Sequence, residues 1–320
     1  MTADLESRLT SQETPVEYVA ATGCTVTRVP SVCVKTKKRG STKGDWINSI
    51  VSFILEHQLD GVEIVYRWPE TSVDEDNLAF FVRELRYKLE KAEKLAKRKF
   101  PYIISIYSRA HLWATKDVPL LDDLLNYVSF FNVETYNFYA PWHVGNIMTG
   151  PQSPLYSLGN DNRSIDWTMN AYTCKIMKPS QLNVIIPFGG AYWKNVSKNG
   201  AQADDLHFNV GGTRYSGSYY AWRDLETLGF NLTKASWHNV TKTPYIWHSN
   251  NRSFLTFDDE RSMKEKMEYI ISKNLGGVTM DAIDEDDDSH TLLNAVTSRG
   301  MCSGPKIGKE EIMYNCNKLA

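Results

Sequence analysis

Two ionisable side chains stand on one face of the segment Leu59 to Pro69 (LDGVEIVYRWP), a short apolar run entered through Asp60-Gly61 and closed by Trp68-Pro69. Extended chain alternates its faces, so Glu63, Val65 and Arg67 point one way while Ile64 and Tyr66 point the other. A carboxyl and a guanidinium on one face offer proton transfer and fixed positive charge. Donating a proton near neutral pH requires a group that holds it and can release it. Arg67 cannot, since its pKa lies above about 12 and its charge persists. Glu63 sits about 13 Å further down an extended strand rising about 3.3 Å per residue, too deep to serve a bond at the strand's far end. Val65, between them, can neither polarise nor orient a polar group. This face carries a deep carboxyl and an outer fixed cation, with no group at its outer end that can release a proton.

The segment resembles the signature of glycoside hydrolase family 18, the chitinase family, which runs D-G-x-D-x-D-x-E-x-P along one barrel strand. Asp60, Gly61 and Pro69 match that pattern. Glu63 stands in for the second Asp, Val65 replaces the third, and Arg67 occupies the place of the proton-donating Glu. In the family the Glu protonates the leaving oxygen while the neighbouring Asp orients the substrate's own N-acetyl group as nucleophile, a route outside the usual two-carboxylate rule. With Val65 and Arg67 in those places, the resemblance implies a pseudoenzyme, with no catalytic residue left.

Later segments extend the likeness in the same order. Phe131 to Phe138 (FNVETYNF), followed by Trp142, is similar to the strand written M-x-Y-D, with Tyr136 kept, Glu134 in place of the Met and Asn137 in place of the Asp. In the family this tyrosine hydroxyl supports the N-acetyl group. Ile185 to Gly190 (IIPFGG) resembles the G-I-P-F-Y-G strand, with Ala191 where an Arg follows. Phe257-Asp258-Asp259 and the run Gly276 to Asp284 mirror the closing helix and strand, with Asp281 where a Trp floors the central sugar subsite. The match runs from about Trp46 to Val296, and its wording is nearest to the chitinase-like proteins of nematodes.

The resemblance implies a (β/α)8 barrel of the TIM type, with binding loops at the carboxyl ends of its strands. Candidate sugar contacts are Tyr136, Asn137, Tyr139, Trp142, Tyr192 and Trp193, with core packing as the competing reading for each aromatic. A lone buried guanidinium is costly and a paired one tolerable. Arg67 is therefore expected to pair with Glu134 or Asp281 across the former catalytic centre.

The elements that must hold these residues alternate, as a parallel α/β fold requires. Trp46, Ile47, Ile50, Val51 and Ile54 form a helical stripe ahead of the signature strand. Caps in Ser72–Asp76 precede a helix carrying Leu78, Phe81, Val82, Leu85, Leu89 and Ala92. Strands are expected at Tyr102–Ser108, Phe131–Phe138, Asn183–Phe188 and Gly277–Ile283, with a short helix at Leu120–Tyr127 and a last one presenting Met263, Met267, Ile270 and Ile271. Residues 46–300 form the barrel, with a small α+β insertion at about 190–250 and a tail at 301–320. Only about 45 residues precede the Trp46 helix, where the family places three strands. Val16–Ala21 and Ser31–Thr36 are the available strands, so the barrel is expected to be incomplete or rearranged at its amino end.

The chain has 320 residues, 42% hydrophobic and 23% charged, enough to bury a large core. A net charge of −2 gives no electrostatic basis for nucleic-acid binding, and no apolar run reaches the length of a membrane span. The expected partner is a chitin-type oligosaccharide or, failing that, another protein. No cofactor or metal is expected, because the cysteine spacing has no zinc pattern and the acidic run Asp284–Asp288 reads as a loop and helix cap. Met1 to Gln12 has neither the basic start nor the apolar middle of a secretion signal. Sequons at Asn162, Asn195, Asn231, Asn239 and Asn251 and the family resemblance nevertheless point outside the cell, so the compartment is left open. Of Cys24, Cys33, Cys174, Cys302 and Cys316 at least one must be unpaired; Cys302–Cys316 bridging and buried free thiols are both open.

Overall fold

The computed structural model describes residues 17–20, 26–28, 31–33, 43–66, 71–110, 123–143, 148–159, 161–176, 178–200, 206–210 and 217–298. The chain opens with β1 (Glu17–Ala20), β2 (Val26–Arg28) and β3 (Ser31–Cys33), followed by α1 (Lys43–Glu56), β4 (Gly61–Val65), α2 (Ser72–Ala96), β5 (Ile103–Ser108), β6 (Phe130–Glu134), α3 (Ile165–Ile176) and β7 (Leu182–Pro187). An insertion follows: β8 (Gly189–Trp193), β9 (Val196–Gly200), β10 (Phe208–Val210), β11 (Gly217–Ala221), β12 (Ser236–His238), β13 (Thr243–His248) and β14 (Ser253–Thr256). The last elements are α4 (Glu260–Ser272), β15 (Gly277–Asp281) and α5 (Thr291–Thr297).

Strands β3, β4, β5, β6, β7 and β15 lie side by side and run parallel. Their alternation sorts the side chains by chemistry. Val62, Ile64, Ile104, Ile106, Phe131, Val133, Val184, Ile186, Val278 and Met280 point outward and are buried in one core against the helices. Glu63, Ser105, Asn132, Asn183 and Thr279 occupy the alternate positions and are buried too, as a polar layer inside the curved sheet. Burying polar groups is tolerable when they are hydrogen-bonded. Here the Asn132 amide donates to Glu63 Oε1 at 2.6 Å, while Asn132 Oδ1 accepts from Asn183 at 3.0 Å and from Thr279 at 2.8 Å.

The amino end departs from an eight-fold repeat. β1 pairs with β15 antiparallel, and β2 pairs antiparallel with β1, so the sheet order is β2-β1-β15-β7-β6-β5-β4-β3. β2 and β3, at opposite ends of that order, are separated in the chain only by Val29 and Pro30. Three residue steps cover at most about 11 Å, so the two ends of the sheet must come together and the sheet curls into a barrel. The expected rearrangement is therefore specific: an antiparallel strand takes the place beside the last parallel one.

The helices form for legible reasons. Thr71 caps α2, accepting from Asp74 N at 3.2 Å while Asp74 reaches back to Thr71 N at 3.1 Å. Leu78, Val82, Leu85 and Leu89 then recur every three or four residues and are buried. On the same helix Arg86 donates to the carbonyls of Tyr102 at 2.6 Å and Tyr127 at 2.9 Å, pinning α2 to the entrances of β5 and β6. Asp259 caps α4, whose Met263, Met267 and Ile270 face the core while Ile271 is half-buried. Lys266 of α4 is fully buried and bonded to both oxygens of Asp258, at 2.6 and 2.7 Å, and to Ser153 Oγ at 3.0 Å. Burial lowers its pKa, and the attraction of Asp258 opposes that shift.

Three expectations shift. β6 stops at Glu134 rather than Phe138, and Asn137, three residues on, takes a left-handed conformation at φ 56° that an extended strand does not allow. Of the Leu120–Tyr127 helix, residues 120–122 lie outside the described set and only 123–125 are helical. Helix α3 was not anticipated, although Ile165, Met169 and Tyr172 mark its buried face. Cys174 on α3 is disulfide-bonded; the other four cysteines lie outside the described side chains. No described helix is long and apolar enough to cross a membrane.

Candidate functional site at the barrel mouth

Above the polar layer, at the carboxyl ends of the strands, Val65, Tyr107 and Ile185 pack together with Tyr136 against them. Val65, in the place of the third motif Asp, is 5% exposed and packed with Tyr107 and Ile185. Asp60 and Gly61 keep structural work. Asp60 pairs with Arg98 at 3.0 Å on the outer surface, and a Cβ on Gly61 would collide with the Ile103 carbonyl. Glu63 is 2% exposed in the polar layer below, where it accepts from Asn132. Arg67, and with it the expected ion pair, lies outside the described residues.

Glu134 and Asp281 do stand at inward positions, in register with the alternation that buries Asn132 and Thr279. Asp281 accepts a short hydrogen bond from the Tyr136 hydroxyl, which also meets the Tyr107 hydroxyl at 3.3 Å. Burial, then the charges of Asp281 and Glu134, push the Tyr136 phenol well above its ordinary pKa, so it stays a donor. The tyrosine that the family resemblance assigns to an acetamide is thus bonded to the protein's own carboxylate.

The insertion is fastened beside this centre. Tyr219 of β11 donates to Glu285 just after β15, Trp222 Nε1 donates to Asp287 at 2.9 Å, and Arg223 reaches the Asp284 carbonyl. Gly189 makes room for this, since a Cβ there would run into the Tyr219 hydroxyl and the Tyr220 carbonyl. Burial raises the Glu285 carboxyl to about 7, although Tyr219 and the Ala282 amide donate to it. Asp286 and Asp287 cap α5, accepting from the amides of Leu293 at 2.8 Å and Thr291 at 3.0 Å. The acidic run is a cap, and its first half forms part of the mouth.

Among the six expected sugar contacts, Tyr136 and Trp142 lie at the mouth. Trp142 is half-buried with its ring 6.3 Å from Tyr219 in an edge contact. Asn137 is half-buried and its Oδ1 accepts from Gln152 at 3.3 Å. Tyr139 and Trp193 are each 1% exposed. The Tyr139 ring lies under the Arg163 guanidinium at 3.9 Å and its hydroxyl donates to Asp161, while Trp193 packs on Phe254. Neither ring keeps a face for a sugar; both support the insertion from inside. Tyr192 projects from the opposite side of β8, packing on Tyr220 and Phe230. All five sequon asparagines are exposed.

Sequence reasoning missed Tyr107, Tyr219 and Glu285. Alternation along β5 places Tyr107 on the same face as Ser105, a signal that was available. Tyr219 lies in a Gly-, Ser- and Tyr-rich stretch with no periodicity, and Glu285 was absorbed into the acidic run.

The family model described as "Glycosyl hydrolases family 18" matches residues 34–286. Chitinase B of Serratia marcescens is 22% identical over 309 residues, covering 82% of this chain and 62% of that protein. The oviduct-specific glycoprotein of Mus musculus is 27% identical over 256 residues, covering 76% of this chain and 34% of that protein. The chain thus spans less than two thirds of either relative. Among solved structures, a mutant class V chitinase from Nicotiana tobaccum in complex with NAG4 superposes with a TM-score of 0.73 at 14% identity, covering 86% of this chain and 80% of that one.

Proposed function

The chain belongs to family 18 of the glycosyl hydrolases, and on that premise we propose that it is a non-catalytic, chitinase-like protein of the degenerate type that holds chito-oligosaccharides at the barrel mouth. One observation carries the loss of catalysis: the motif's third Asp is Val65, 5% exposed and packed on Tyr107 and Ile185, where no carboxylate can orient an acetamide. The sequence adds Arg67 in the position of the acid, a group that cannot release a proton. Pairing of Arg67 with Glu134 or Asp281 remains part of this reading. Sugar affinity would rest on Trp142 and the rim of the insertion rather than on the centre, because Tyr136 is engaged by Asp281. The likeness to a chitinase complexed with NAG4 supports that ligand class.

A second reading is a protein-interaction module without sugar affinity. It is favoured by the contacts of Tyr219, Trp222 and Arg223 with residues 284–287, which fasten the insertion to the loop after β15 beside the mouth. Titration with chito-oligomers of two to six units, followed by tryptophan fluorescence, separates the two. Saturable binding without product release supports the lectin-like reading, and no binding at millimolar ligand supports the module. Turnover of a fluorogenic chito-oligosaccharide at an ordinary enzymatic rate would overturn both. The single change Arg67→Glu is expected to leave turnover absent, since Val65 and Asp281 also depart from the working site.

A further inference from the structure

The outer edge of the insertion carries a groove with an occupant close at hand. β12 pairs only with Thr243, Pro244 and Tyr245 of β13, so Ile246–His248 continues beyond it, bonded to β14 on the other side. Where β12 stops, a groove of about 400 Å³ opens between Phe208, Trp247, His248, Lys234 and Asn231. That falls within the size range of small-molecule sites, about 300–1,000 Å³, and the mixture of rings with a few polar groups is the lining such sites use. Phe208 and Trp247 are stacked at 5.1 Å with an interplanar angle of 12°, making a rigid aromatic wall.

Asn231 begins the sequon Asn231-Leu232-Thr233 on the turn that borders this groove. Phe230 is buried and stacks on His248 at 6.0 Å, and Leu232 packs into the same cluster, so the turn is anchored on both sides of the asparagine. Asn231 itself is exposed, and its Oδ1 accepts from Thr233 Oγ1 at 2.7 Å. The disulfide at Cys174 is of the kind that forms in the oxidising compartments where sequons are modified. We propose that Asn231 carries an N-linked glycan whose first N-acetylglucosamine lies in this groove, covering the Phe208–Trp247 wall. The chain would then bind a sugar of its own at a place distinct from the barrel mouth. The proposal stands whether or not the mouth binds chito-oligomers.

The test uses the full chain secreted from eukaryotic cells. Glycopeptide mass spectrometry is expected to find Asn231 occupied. Hydrogen exchange of the amides of residues 246–248 is then compared in the intact glycoprotein, after endoglycosidase trimming to a single N-acetylglucosamine, and in Asn231→Gln. Protection should be equal in the first two and about tenfold weaker in the third, with Asn251→Gln showing no change at these amides. Should Asn231→Gln fail to be secreted, complete enzymatic removal of the glycans from folded wild-type protein provides the third state. An unmodified Asn231, or exchange indifferent to the sugar, overturns the proposal.

Discussion

Replacing Glu285 with Gln should make the protein more stable above neutral pH and leave it unchanged in acid. Burial raises the Glu285 carboxyl from 4.5 to about 7 in the fold. A raised acid favours the native state in its protonated form. Its contribution is therefore complete below pH 4.5 and is lost as pH climbs through 7. At about 1.36 kcal/mol per pH unit the whole rise corresponds to about 3.4 kcal/mol. Glu285 retains some contact with water, so about 2 kcal/mol is the reasonable expectation. Gln keeps an oxygen for the Tyr219 hydroxyl and the Ala282 amide but cannot ionise. The two proteins should unfold alike in urea at pH 4.5, and E285Q should be more stable by about 2 kcal/mol at pH 8. Taking the difference at each pH cancels the titrations of Asp161, Asp287 and His143, which both proteins share. A difference that stays flat from pH 4.5 to 8, or slopes the other way, refutes the account of the Tyr219–Glu285 contact.

Three further outcomes are expected. Lys266→Met strands the buried Asp258 carboxylate and should cost about 3–5 kcal/mol by chemical denaturation, while the double change Asp258→Leu with Lys266→Met should recover most of it. Asn132→Leu removes the donor to Glu63 and the acceptor for Asn183 and Thr279, and should cost about 3 kcal/mol in the same assay. Trp142→Ala should weaken chito-oligomer binding about tenfold in the fluorescence titration, whereas Tyr139→Phe should leave affinity unchanged and cost about 1 kcal/mol of stability.

The parallel framework was legible because its signals are local. The stripes of α1 and α2 and the apolar runs of β4, β5, β7 and β15 each specify themselves within a dozen residues, while the cap of α2 falls on Thr71, one residue before the expected Ser72–Asp76 cluster. The amino end was not, because β1 reads as an ordinary strand and nothing in EYVA records that its partner lies some 260 residues away in the opposite direction. The site divides the same way. Val65, Glu134 and Asp281 follow from alternation and motif position, and Tyr136 from the retained word of the pattern. The burial of Tyr139 and Trp193 could not be read, since an aromatic beside a cleft and an aromatic beneath it have the same letters. The fastening of Tyr219 to Glu285 joins two segments 66 positions apart and depends on the insertion's path.

Only two residues lie between β2 and β3 in the sequence, which limits how far apart the two ends of the sheet can stand. If those two short strands are counted as one stave, the wall has seven members, and a barrel's girth scales roughly with their number. An eight-membered cylinder of the same strands would be wider by about one part in seven. The bore that remains is lined by the chain's own amides, hydroxyls and carboxylates, with Glu63, Asn132, Asn183 and Thr279 buried within it.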